Sequence, residues 1–65
     1  MDEEQATQIA SALGGEAWNS GGDYWLVLFR RSDGKLVVIS DEIICEYDDE
    51  GAFENNNPTA TIILH

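Results

Sequence analysis

Sixty-five residues are enough for one domain spanning 1–65, but a chain this short buries only ~60% of its unfolded surface, so its core must be thin. Thirteen carboxylates against three basic residues give a formal charge of −10, which repels nucleic-acid phosphates and anionic lipid headgroups and argues against direct binding to either. A single cysteine, Cys45, excludes an intramolecular disulfide and a Cys-based zinc site. Met1 is followed by Asp2, Glu3 and Glu4 rather than by the basic and apolar regions of a secretory signal, and no apolar run approaches the roughly 20 residues that cross a bilayer. With the lone thiol, this predicts a cytoplasmic protein.

In chain order, Ala6, Ile9, Ala10 and Leu13 recur at the spacing of one helical face and predict an amphipathic helix over 2–13. Asp2 is placed to cap its first turn with Gln5 completing a capping box, and Gly14 is placed to end it. Such a helix is marginal alone and is expected to lay Ile9 and Leu13 on a sheet. Glu16 to Ser20 reads as a first strand, and Gly21-Gly22 as a two-residue hairpin loop that sets Trp18 opposite Trp25.

The segment Tyr24 to Tyr47, YWLVLFRRSDGKLVVISDEIICEY, carries most of the large apolar residues. Asp33-Gly34 between two β-branched and aromatic runs predicts a tight hairpin of strands 23–31 and 35–40, with Phe29 facing Val38. Alternation then puts Ala17, Leu26, Leu28, Val37 and Ile39 on one face and Trp18, Trp25, Val27, Phe29, Leu36 and Val38 on the other. Both faces are apolar, and one slender helix covers only one of them. The C-terminal segment folding over, sheet curvature, or another copy of the chain must shelter the second.

Residues 42–47 read as a further strand, 48–53 as a turn or single helical turn with Ala52 and Phe53 tucked inward, Asn55 to Pro58 as a loop, and 59–64 as a last strand. The expected fold class is α+β, an N-terminal helix packed on a four- to five-stranded, mostly antiparallel meander. The order of elements, with DGKLVVISDEIICEY after a Trp-containing strand, resembles small uncharacterised bacterial α+β proteins of about this size. That resemblance spans about the central half of the chain, concerns architecture, and implies no functional residues.

Chemistry-bearing groups are sparse. His65 is the only side chain that is a base at neutral pH, so a Cys45–His65 pair is the one nucleophilic combination; a buried, inert cysteine is the plainer reading. Asp48, Asp49, Glu50 and Glu54 are ligands that hard cations prefer, yet they are consecutive where a calcium loop alternates. Arg30, Arg31 and Lys35 form a basic tip that either pairs with nearby acids or orients a partner. No catalytic set and no cofactor motif emerges. The leading expectation is a non-catalytic interaction module, self-associating as a homodimer or meeting another protein through Trp18, Trp25, Val27, Phe29, Leu36 and Val38 or through an edge strand. The alternatives are an acidic regulator or nucleic-acid mimic that binds a basic protein, and a cation- or small-ligand-binding protein using the 48–54 loop.

Overall fold

A computed structural model describes residues 1–64. Helix α1 (Glu3–Leu13) precedes strands β1 (Glu16–Gly21), β2 (Tyr24–Arg30), β3 (Leu36–Ile39) and β4 (Ile43–Tyr47), a short helix α2 (Glu50–Glu54) and strand β5 (Ala60–Ile63). The strands form one antiparallel sheet in the order β1-β2-β3-β4-β5, so each pairs with its sequence neighbours. This is the α+β meander that the hydrophobic patterning predicts.

The Asp2 carboxylate caps α1 by accepting from the Gln5 N–H at 2.7 Å, and Gly14, at φ 73°, ends it. The helix packs on β1 and β2 through Ala6 and Ala10, the first fully buried and the second nearly so, against Val27, with Met1, Ile9, Ala17, Trp25 and Ile39 around them. The two alanines carry the contact because they let the helix backbone come close. Leu13, expected to lie on the sheet, is instead 45% exposed at the far end of the helix.

Both hairpin registers differ from expectation by one residue. Arg30 pairs with Leu36, Phe29 with Val37, Leu28 with Val38 and Val27 with Ile39. The loop is not the two-residue Asp33-Gly34 turn. The Arg31 carbonyl accepts from the Gly34 N–H at 2.9 Å, and the Arg31 N–H donates to the Lys35 carbonyl at 2.8 Å, leaving three residues in the loop. A two-residue type I′ turn needs positive φ at both central positions, but only Gly34 (φ 90°) has it here. Asp33 instead accepts from the Lys35 N–H and from the Arg31 guanidinium, which favours the wider loop. At the other hairpin a bulge between Asn19 and Gly21 sets Trp18 opposite Leu26 and Asn19 opposite Trp25, so the two tryptophans are not cross-strand partners. The Asn19 side chain holds that turn by accepting from the Gly21 N–H and donating to the Gly22 carbonyl, each at 2.9 Å.

A one-residue slip exchanges faces. Trp25, Val27 and Phe29 therefore share the α1 face with Ala17, Val37 and Ile39, while Trp18, Leu36 and Val38 share the opposite face with Leu26 and Leu28. That second face has its own cover. Ala52 and Phe53 of α2 pack against Leu28, Leu36, Val38, Cys45 and Tyr47. Phe53 meets Trp18 edge-on with ring centroids 5.5 Å apart, and Tyr47 at 5.4 Å.

Candidate functional site

Three features stand out once side chains are placed. The first is a cleft of about 350 Å³ between α2 and the β1–β2 end of the sheet. Leu28 and Leu36 form its apolar base, Trp18 and Phe53 stand beside it, and Glu16 and Glu54 lie at its exposed rim. The Arg30 guanidinium also reaches the cleft, donating to Glu50 Oε1 at 2.8 Å and to the Gly34 carbonyl at 3.0 Å. Gly15 closes one end against the Leu28 carbonyl, where any side chain would collide. The pairing across β1, β2 and β3 puts Trp18, Leu28 and Leu36 on one face, and α2 delivers Phe53 and Glu54 to it from beyond β4.

The second feature is the edge strand β5. Ile62 is 58% exposed, Ile63 62% and Leu64 41%, and Ile43 beside them on β4 is 36% exposed. The Leu64 N–H donates inward to the Glu42 carbonyl at 2.7 Å. Since successive peptide groups of a strand alternate sides, those of Thr61 and Ile63 point away from β4 along the open edge.

The third is the basic tip, whose three cations are each matched to acids of the same chain. Arg31 pairs with Asp33 and Glu46, Lys35 with Glu46 and Asp48, and Arg30 with Glu50. The hydrogen bond from Arg31, followed by that from the Lys35 N–H, lowers the Asp33 carboxyl from 3.8 to about 2. Arg31 is raised, chiefly by its hydrogen bond to Asp33, and Lys35 is raised, chiefly by its hydrogen bond to Glu46.

Of the six residues expected to form one interface, Val27, Leu36 and Val38 are buried, Trp25 and Phe29 half-buried, and Trp18 44% exposed. They lie on two faces and do not make a common patch. Cys45 is buried, with its sulfur 3.8 Å from the Thr61 hydroxyl and Tyr47 on its other side; burial, then proximity to Cys45, pushes the Tyr47 phenol upward. His65 lies outside the described residues. In the 48–54 segment Asp48 pairs with Lys35, Asp49 caps α2 through the Ala52 N–H at 2.8 Å, and Glu50 pairs with Arg30. Among the described residues no three acidic, His or Cys side chains converge as a metal site would require.

Sequence reasoning passed over Glu16, Phe53 and Glu54 as neighbours of Trp18. Strand alternation links Glu16 to Trp18, two positions along β1, but nothing local brings in Phe53 and Glu54, since Phe53 lies 35 positions beyond Trp18. The inward-tucked Phe53 was the one legible hint, because an aromatic beside a short acidic turn must find an apolar surface. No helix is long and apolar enough to cross a membrane among the described residues. Comparison with protein-family models, with curated proteins and with solved structures finds no match to this chain.

Proposed function

We propose that the chain is a small, acidic, non-catalytic interaction module of the cytoplasm that self-associates as a homodimer by pairing β5 with β5 of a second copy. The observation that carries this reading is the open, apolar edge. Residues 59–64 hold no charge, and the strand has no lysine, proline or internal bulge of the kind that blunts edges in monomeric sheets. An antiparallel pair centred on Ile62 sets Thr61 opposite the partner's Ile63, so both outward-facing peptide groups find partners and both isoleucines lose water contact. A standard interface takes about 800 Å² from each partner, which is roughly a fifth of the 4326 Å² this chain exposes.

Each copy carries a net charge of −10, so raising salt should tighten the dimer by screening the repulsion. Sedimentation equilibrium on the wild type and on Thr61→Pro tests the reading. Proline removes the outward N–H, together with the Thr61 hydroxyl beside Cys45, but no backbone hydrogen bond to β4, so the wild type is expected to dimerise and the variant to stay monomeric with the same fold. A wild-type monomer at the highest soluble concentration in high salt would refute it.

A further inference from the structure

We infer that the cleft between α2 and the β1–β2 end of the sheet receives an arginine side chain from a basic segment of another protein. Three observations converge there. The volume, about 350 Å³, sits at the small end of the ~300–1,000 Å³ range of ligand sites and has room for one long side chain. Its apolar lining includes Trp18, the ring type that attracts cations most strongly through its π face. Its lining, finally, sets three carboxylates, Glu16, Glu50 and Glu54, against the single guanidinium of Arg30, which pairs with Glu50 and leaves the negative charge of the other two in excess.

That last point follows from counting partners. The chain has three lysines and arginines, and each is already paired, Arg30 to Glu50, Arg31 to Asp33 and Glu46, Lys35 to Glu46 and Asp48. Seven of the thirteen carboxylates are used within the fold: Asp33, Glu46, Asp48 and Glu50 in these pairs, Asp41 with the Met1 amine, and Asp2 and Asp49 as helix caps. Among the described residues Glu16 and Glu54 have no such partner, and both border the aromatic cleft. A guanidinium entering there stacks on Trp18 while its N–H fork meets a carboxylate, whereas an ammonium offers only a point charge. Its aliphatic stem covers Leu28 and Leu36. The net charge of −10 draws a basic polypeptide toward the molecule from a distance, and this selects a protein partner over a free amine. The cleft borders β1, at the opposite edge of the sheet from β5, so it stands independently of self-association.

The test uses an acetylated, amidated peptide of alternating glycine and arginine, with citrulline replacing arginine as the neutral control. Titration is followed by the indole N–H resonances of Trp18 and Trp25 and by calorimetry. The Trp18 resonance is expected to shift saturably and that of Trp25, on the other face, to stay put; the citrulline peptide leaves both unmoved. The double variant Glu16→Gln/Glu54→Gln should lose about three- to tenfold in affinity, while Glu3→Gln/Glu4→Gln, the same charge change on α1, loses less than twofold. Equal losses in the two double variants, or a Trp18 resonance that does not move, would overturn the site. Binding of Nα-acetyl-arginine amide as tight as that of the peptide would overturn the polypeptide partner.

Discussion

Gly15→Ala is the substitution in which the structure commits to the largest effect for a single added methyl. A Cβ at this position would lie 2.3 Å from the Leu28 carbonyl oxygen, 2.7 Å from the Phe29 Cβ and 3.1 Å from the Leu28 carbonyl carbon. No rotamer change relieves this, because all three atoms belong to the backbone of β2 or are bonded directly to it. Restoring ordinary contact near 3.4 Å requires the start of β1 to withdraw by about 1 Å, which loosens the Glu16–Leu28 pairing and the adjoining end of α1. Overpacking against surroundings that yield costs about 1–3 kcal/mol, so a clash with a central strand belongs at or above roughly 3 kcal/mol. For a domain this small that corresponds to a fall in Tm of about 12–24 °C.

Gly14→Ala is the matched comparison. Nothing lies within 4 Å of its Cβ, but the residue sits at φ 73°, and the left-handed conformation costs a side-chain-bearing residue about 1–2 kcal/mol. Thermal and urea melts by circular dichroism on the two variants separate steric crowding from backbone preference. A Gly15→Ala protein within about 1 kcal/mol of wild type, or more stable than Gly14→Ala, would refute the close approach of β1 to β2.

Phe53→Ala should cost about 2–3 kcal/mol, less than the ~3–5 kcal/mol of a fully buried phenylalanine, and should shift Trp18 emission to the red as α2 loses its anchor; unchanged emission would contradict the edge-on contact. Ala6→Leu, at a position with no exposure against Val27, should destabilise by about 1–3 kcal/mol in urea melts, and a neutral result would mean that α1 stands off from the sheet. Because the Asp33 carboxyl is lowered from 3.8 to about 2 in the fold, its contribution is complete above about pH 4 and disappears as pH falls through about 2. Melts of Asp33→Asn between those limits should show a shallower acid limb than wild type, and parallel limbs would rule the pairing out.

The elements were legible and their pairing was not. Ala6, Ile9, Ala10 and Leu13 announce a helix because a period of 3.6 is a strong signal, and Asp2 and Gly14 mark its ends by local hydrogen-bonding and backbone preferences. The hairpins are equally visible, yet register depends on whether one residue, Asp33, takes positive φ. That choice was settled by its contacts to Arg31 and the Lys35 N–H, which hydrophobic patterning does not encode. The error carried over to the proposed interface. Trp18 and Trp25 look like neighbours under a two-residue Gly-Gly loop and fall on opposite faces once the Asn19–Gly21 bulge is counted. The cleft was illegible for a different reason: its wall is built where α2 crosses back over the sheet, and a five-residue helix is docked by a few long-range contacts, Ala52 and Phe53 on the apolar cluster and Glu50 on Arg30.

The strictly sequential strand order has a bearing on how the protein is made. Every sheet contact joins neighbours along the chain, the arrangement associated with low contact order and rapid folding, so a nascent polypeptide leaving the ribosome can add each strand as it emerges. At every stage of synthesis the newest ribbon is the exposed one. Among the described residues β5 is the last strand to emerge, so the outward peptide groups of Thr61 and Ile63 are the ones that no neighbouring strand of the sheet has paired.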